Sequence, residues 1–415
     1  MKQSKNIPEG YKDSPLGIIP NEWEVKAIGE ICTIKVGKDL KEQNYSTTKQ
    51  EGFKYPIYSN TIENKGLYGY YNFKEYPKNA ITVIGRGIGI GKAIARDTEF
   101  GAIGRLLILY PQNQDIVFIS EYINNNVHIL VESAAIPQLT GEQIASYKIL
   151  IPPLLEQKVI ASISSTWDKA IEKQTVLIEK LEVRKRGLMQ QLLTGKKRLP
   201  GFNKKWNKVK IEDVFYPLPS FSYSRDQLTN KPETIHCIHY GDIHVETDRY
   251  IVDLTNNTLP FIKKEIWNHQ KYKNDIFLKE GDLIIADASE DYEGVGKSWE
   301  IVDTNNQLII SGLHTIALRP VAELFHTGFT SYLFRSITLL KKMREKAQGT
   351  KVYSLSFNNI KNISFSLPSI KEQIAIKKIL LSCDKEIVIN RRRLQSLKDE
   401  KKGLMQVLLT GKKRV

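Results

Sequence analysis

Residues 152–198 of this chain are written twice. The first copy opens with Pro152-Pro153-Leu154-Leu155-Glu156-Gln157 and closes with Gly187-Leu188-Met189-Gln190 and Leu192-Leu193-Thr194-Gly195-Lys196-Lys197-Arg198. The second opens with Pro368-Ser369-Ile370-Lys371-Glu372-Gln373 and closes with Gly403-Leu404-Met405-Gln406 and Leu408-Leu409-Thr410-Gly411-Lys412-Lys413-Arg414. The offset is 216 residues with no gap, and the copies agree at about 21 of 47 positions. A repeat this long without an insertion requires each residue to hold a fixed place, as in a continuous helix. Two copies make a pair, not a solenoid, so the chain is a tandem duplication.

Each copy is predicted to form one helix of roughly 40 residues, about 60 Å long at 1.5 Å per residue. Proline followed by Glu-Gln suits a first turn with free N–H groups, and Thr-Gly followed by Lys-Lys-Arg suits the negative end of the dipole. Spacings of three and four trace one stripe, Ile160, Ser164, Trp167, Ile171, Gln174, Ile178, Leu181, Lys185, Leu188 and Leu192. The second copy gives Ile376, Leu380, Cys383, Ile387, Asn390, Leu394, Leu397, Lys401, Leu404 and Leu408. A seven-residue period sustained over several heptads predicts a coiled-coil seam, and a narrow stripe this long needs a long partner. The two helices are expected to pair antiparallel. Gln174 and Asn390, equivalent positions near the two midpoints, are expected to approach one another and fix the register.

The duplication extends beyond the helices. Residues 1–31 form an entry arm with Pro20-Asn21-Glu22-Trp23, and a similar arm, 199–214, follows the first helix with Pro200-Gly201-Phe202 and Trp206. The unit of repetition is arm, globular domain, long helix: 1–31, 32–150 and 151–198, then 199–214, 215–366 and 367–415. The layout is circular, and the N- and C-termini are expected to lie close together. The domains share short β-type runs, Ala80–Ile84, Leu106–Tyr110, Asp282–Ala286 and His314–Leu318, and similar approaches to the helices, Ile136–Pro152 and Val352–Pro368, while their middles diverge. The fold class is α+β: two globular α/β domains joined and spaced by two long helices in an antiparallel coiled coil, with pseudo-twofold duplication. Diverging middles on a shared frame imply one job done on two different targets.

A net charge of +15 and a pI near 9.4 point to a polyanionic partner, most simply nucleic acid. Three scattered cysteines, Cys32, Cys237 and Cys383, lack metal-ligand spacing and suit a reducing cytoplasm. The start Met1-Lys2-Gln3-Ser4-Lys5 has no signal-peptide core, and no apolar run reaches transmembrane length, so a cytoplasmic protein is expected. The glycine-rich loop 85–92 does not fit a P-loop: the position five residues before Gly91-Lys92 is Arg86, and Ala93 follows the lysine where Ser or Thr is required. Its glycines, with Arg86 and Lys92 beside them, suit close approach to a DNA phosphate, or else a plain hairpin turn. His236, His239 and His244 surround Tyr240-Gly241-Asp242 but do not complete a metal set, so no metal is expected and a strand-and-loop surface facing DNA is preferred. No nuclease, Ser-His-Asp or adenine-methylation motif is present in the sequence, and the chain is expected to catalyse nothing itself.

What remains is a binding surface. Tyr58, Asn60, Lys65, Tyr68, Arg86, Lys92 and Arg105 in the first domain interleave aromatic, basic and amide groups, with Tyr55, Tyr70 and Tyr71 close by. Ser222, Tyr223, Arg225, His239, Tyr240, Lys297 and Lys351 do so in the second. Such mixtures suit phosphate and base-edge contacts, although tyrosines of this kind also fill cores.

The Pro-Pro-Leu-Leu-Glu-Gln and Pro-Ser-Ile-Lys-Glu-Gln starts and the repeated Gly-Leu-Met-Gln and Leu-Leu-Thr-Gly-Lys-Lys-Arg ends resemble those of specificity subunits of type I restriction–modification systems. The arm around Trp23, Ile-Pro-Gln-Leu at 136–139 and His-Tyr-Gly-Asp-Ile at 239–243 extend the resemblance over essentially the whole chain. It implies two target-recognition domains that each read half of a split DNA site. It also implies two adenine-N6 methyltransferase subunits and a translocating restriction subunit as partners. S-adenosylmethionine, ATP and Mg are then expected in those subunits and no cofactor in this chain. Helix-face residues Glu156, Gln157, Glu372 and Gln373 are candidates for the methyltransferase contact. A specificity chain of a fused methylase–nuclease outside type I, or a coiled-coil scaffold whose charge serves RNA, shares these features; the partner gene and the modified base discriminate.

Overall fold

The computed structural model describes residues 7–129, 138–245, 250–256, 258–267 and 274–415. Ile136 and Pro137 lie outside the described residues. The chain divides into two compact units, Met1–Val176 with Arg391–Val415, and Leu177–Asn390. Two helices of 39 residues, Leu154–Leu192 and Ile370–Leu408, each give one half to either unit. Both stop as the sequence requires. Gly195 and Gly411 take the same left-handed φ of 69°, and Lys197 and Lys413 N–H groups reach back to the carbonyls of Gln191 and Val407.

In the first unit the arm strand Glu24–Ala27 pairs antiparallel with Lys148–Ile151, the strand that feeds the first long helix. A four-stranded antiparallel sheet follows in the order Cys32–Val36, Leu107–Pro111, Ala80–Val83, Ala93–Arg96. Ala80–Val83 is buried on both faces, which is why it reads as an unbroken apolar run. A second sheet, Gly101–Ala102, Tyr55–Tyr58, Leu67–Tyr71, Tyr45–Ser46, carries Tyr45, Tyr55, Tyr58, Tyr68, Tyr70 and Tyr71. Trp23, Ile28, Phe118, Ile149, Leu408 and Leu409 share one core, so the end of the second long helix is part of this unit's interior.

The second unit repeats the frame. Asn207–Lys210 pairs antiparallel with Ser364–Leu367, the strand before the second long helix. A five-stranded sheet runs Phe215–Leu218, Thr315–Pro320, Leu283–Ala286, Ser298–Asp303, Ile251–Asp253. Its first four strands reproduce the order seen in the first unit, and the parallel edge strand Ile251–Asp253 is an addition. Leu192, Leu193, Phe215, Phe334, Ile376 and Leu380 form the core beneath it. All four β-type runs expected from the sequence are strands, with ends displaced by one or two residues.

Within each unit the helix halves run antiparallel. Lys401 meets Asp168 at 2.7 Å and Glu121 at 3.0 Å in the first unit, and Arg184 meets Glu386 and Lys185 meets Asp384 in the second. Ile160, Ser164, Gln174, Ile178, Leu181, Lys185 and Leu192 are buried, as are Ile376, Leu380, Cys383, Ile387 and Leu408. The other expected positions, Trp167, Ile171, Leu188, Asn390, Leu394, Leu397, Lys401 and Leu404, are half-buried, and Met189 and Met405 are buried beside Leu188 and Leu404. Among the described residues, no helix is long and apolar enough to cross a membrane.

Candidate nucleic-acid interface

The ends of the long helices are tied by the same constellation in both units. In the first, the Trp23 indole N–H donates to Glu156 Oε2 at 2.9 Å, and Arg414 Nε donates to Glu156 Oε1 at 2.6 Å. In the second, Trp206 donates to Glu372 Oε2 at 2.9 Å, and Arg198 donates to both of its oxygens at 2.8 Å. The neighbouring glutamines are matched too. Gln157 Nε2 donates to the Pro152 carbonyl while its oxygen accepts from the Asp115 N–H; Gln373 does the same with Pro368 and His326. The expectation that Glu156, Gln157, Glu372 and Gln373 offer an exposed face to a partner is therefore wrong. All four are buried, because a carboxylate or amide at a helix start satisfies groups of the arm and the domain. Tyr11 Oη donates to the Gly411 carbonyl at 3.1 Å, which brings the described N-terminal arm and C-terminal segment together as expected.

On the first unit the tyrosine-rich sheet frames an open cleft of about 620 Å³, lined by Lys49, Lys54, Tyr55, Tyr58, Lys65 and Tyr70, with Arg96 among them. Tyr58 and Lys65, both expected in the site, are brought together here. Tyr68 is exposed and stacks on Tyr45, with centroids 5.6 Å apart. Asn60 instead holds the backbone together: its oxygen accepts from the Gly85 N–H at 2.9 Å and its amide donates to the Gly104 carbonyl. Tyr71 is a core residue whose hydroxyl accepts from the Lys41 N–H at 3.0 Å. The loop 85–92 is a tight turn in which added Cβ atoms at Gly89 and Gly91 would stand 2.3 Å from Ile62 and 2.5 Å from Ile129. Those glycines serve packing, whereas Gly87 has open space around it between exposed Arg86 and Ile88, the latter 85 % exposed. Lys92 and Arg105 are exposed as well, Arg105 at a positive φ of 64°.

On the second unit a cleft of about 650 Å³ is lined by Arg225, Asn230, His236, Asp242, Phe261 and Gln307 among others. Arg225 is exposed and donates to Asp242 at 2.7 Å. The segment expected as strand and loop is a short helix, Tyr240–Val245. His239, expected on an open surface, is buried. Its Nδ1 accepts from the Gly241 N–H at 3.1 Å, its ring packs on Tyr240, and burial holds its pKa below the usual histidine range. Tyr240 is half-buried among His239, His244 and His314. Ser222 is exposed, Tyr223 half-buried beside Phe221, Lys297 half-buried and Lys351 exposed. No group of three or more potential metal ligands exists among the described residues.

The family model for the type I restriction modification DNA specificity domain matches twice, at residues 20–183 and 203–399. The chain belongs to that family. Each match runs from an arm through a globular domain into a long helix, which is the repeating unit read from the sequence. Family members similar to this chain include the type I restriction enzyme MjaVIII specificity subunit of Methanocaldococcus jannaschii, 26 % identical over 98 % of this chain and 96 % of its own length. A putative type I restriction enzyme MjaX specificity subunit of the same organism is 23 % identical over 98 % and 97 %. Among solved structures, the type I restriction-modification S subunit of M. genitalium superposes with a TM-score of 0.57 at 15 % identity, covering 99 % of this chain and 98 % of that one. A chain from a study of assembly and conformational transition in the type I R-M system gives 0.58 at 12 %, covering 95 % and 99 %. Both likenesses concern the fold of the specificity family.

Sequence reading missed two features of this family member. The tryptophan–glutamate–arginine constellation was recoverable, since all its members lie in repeated segments. Arg96 was not: a single arginine ending an apolar strand carries no pattern that separates an inward from an outward side chain.

Proposed function

We propose that this chain is the DNA-specificity subunit of a type I restriction–modification complex, each globular domain reading one half of a split, asymmetric site. The observation that carries this is one frame used twice around two different clefts. The sheet order and the helix-end constellation are repeated, while Tyr55, Tyr58 and Tyr70 line one cleft and Arg225, His236 and Phe261 the other. Two readers of unlike lining favour a site that is not a palindrome. Catalysis then belongs to partners: two methyltransferase subunits that bind S-adenosylmethionine and methylate adenine N6, and a restriction subunit that uses ATP and Mg. The complex is placed in the cytoplasm with the DNA it marks. Candidate contact residues are Tyr58, Lys65, Tyr68, Arg86, Lys92 and Arg105 on one domain, and Ser222, Tyr223, Tyr240, Arg225, Lys297 and Lys351 on the other.

The test is to co-express the chain with its neighbouring methyltransferase subunit and map methylated adenines across the host genome by long-read sequencing. A single split, asymmetric motif modified on both strands is expected. An intact complex with an active methyltransferase and no motif would remove the function assigned here.

A further inference from the structure

Arg96 ends the last strand of the first unit's antiparallel sheet, and 95 % of its surface is buried, leaving 5 % exposed. Its Nε donates to Thr82 Oγ1 at 2.9 Å, one terminal nitrogen donates to the Lys65 carbonyl at 2.7 Å, and the guanidinium lies 3.3 Å from the centroid of the Tyr58 ring. No carboxylate stands within ion-pair distance of it among the described residues. That sets it apart from the arginines that tie the frame together, of which Arg198 and Arg319 are half-buried and Arg414 is exposed. Arg319 is paired with Asp282 through two nitrogens, Arg198 with Glu372 and Arg414 with Glu156. A buried cation without a counter-charge is costly, and burial alone draws its pKa down to about 10.

The surroundings are built around that cation. Asn64 and Lys65 both take left-handed backbone angles, φ 44° and 53°, in the turn that aims the Lys65 carbonyl at Arg96. Such angles are unfavourable for lysine and persist where the surroundings enforce them. The cleft above carries exposed Lys49, Lys54 and Lys65, none of them in an ion pair among the described residues. The single carboxylate of the lining, Glu99, is engaged by Lys74 at 3.0 Å. A floor cation is held rigidly between a tyrosine face and two acceptors, under a rim of ammonium groups without a carboxylate partner among the described residues, the Lys54 ammonium lying 5.3 Å from the centroid of the Tyr55 ring.

We infer that this cleft receives one backbone phosphodiester of the DNA, with Arg96 as its fixed floor and Lys49, Lys54 and Lys65 as its rim. The inference rests on the DNA-reading function proposed above and adds to it a defined anchor, which sets the register of the first domain on its half-site without reading a base. The geometry separates this from a general basic surface. Lysines on flexible stems follow many phosphates, whereas a guanidinium locked by Thr82 and the Lys65 carbonyl serves one position.

The experiment uses the full chain in complex with its methyltransferase partner and a duplex carrying the mapped site. Affinity is measured against salt concentration for wild type, Arg96→Met and the surface variant Lys54→Gln, on DNA whose phosphates are replaced one at a time by neutral methylphosphonates. Arg96→Met is expected to melt within about 3 °C of wild type or above it, because an uncompensated buried charge is removed along with its hydrogen bonds. Its affinity falls roughly 10- to 100-fold, and the slope of log affinity against log salt loses about 0.9. One methylphosphonate in the half-site of the first domain weakens wild type but has no further effect on Arg96→Met, and less effect on Lys54→Gln than on wild type. Unchanged affinity in Arg96→Met, or a loss that tracks a fall in melting temperature with an unchanged slope, overturns the anchor. If Arg96→Met does not fold, the absence of any methylphosphonate position coupled to Lys54 overturns it. Wild type that binds the mapped duplex no better than a scrambled one removes the DNA-reading function itself, which is a different failure.

Discussion

Two buried carboxylates in the second unit do opposite things for stability. Glu372 is held by Arg198 and Trp206, so Glu372→Ala leaves a partly buried cation and an indole N–H unsatisfied. We expect it to lower unfolding free energy by about 3 kcal/mol, and Glu156→Ala to cost a similar amount in the equivalent place, both measured by urea denaturation. Glu300 is fully buried beneath the N–H groups of Gly328 and Ser331, and burial raises its pKa from 4.5 to about 7 despite those donors and nearby Lys377. Because its folded pKa lies above its unfolded one, the folded state holds the proton more tightly between those values. Its contribution is present in full below about pH 4.5 and is lost as pH rises through about 7. Glu300→Gln should flatten that part of the fall in melting temperature between pH 5 and 7.5, and a variant with the wild-type slope would argue against this assignment. None of these roles was legible in the sequence, because burial of a charged side chain depends on what the rest of the chain lays over it. Glu156 and Glu372 looked exposed for that reason: their spacing put them off the seam, and only the returning arms cover them.

At the scale of elements the sequence spoke more clearly. The long helices carry a period that repeats over many turns, so half-buried positions such as Leu188 and Leu404 do not obscure it. The four β-type runs were found because apolar residues buried on both faces cannot hide among polar ones. The short Tyr240–Val245 helix was missed, since six residues that include Tyr240, Ile243, His244 and Val245 satisfy a strand pattern as well as a helical one. The helix pair is proposed as the spacer between half-sites. One added heptad in each helix lengthens it by about 10 Å, roughly three base pairs. The methylated motif should then gain about three unspecified base pairs between unchanged half-sites, and altered half-sites would sink the spacer idea. Gln174 is buried in the seam, Asn390 is half-buried, and the two amides are proposed to set register. Changing both to leucine should raise the melting temperature and loosen the spacing preference of the complex; no change in either would count against them.

At the scale of the molecule, the repeated constellation at the helix ends has one difference between its copies. Arg198 and Trp206 belong to one continuous stretch of chain, whereas Arg414 and Trp23 reach the same geometry with no peptide between them. The contacts themselves hold the arm, and covalent continuity adds only proximity. A permuted gene joining Val415 to the first arm through a short linker, and opened between Arg198 and Trp206, should encode a protein that folds and marks the same motif. A permutant that melts more than about 10 °C lower would show that continuity at that junction matters more than the contacts do. In connectivity the order of arm, domain and helix closes into a ring that has two equivalent joints. A gene for such a ring can change its starting point, or exchange one domain's coding segment for another's, without rewriting the joints, and each exchange is expected to alter one half of the DNA motif while leaving the other intact.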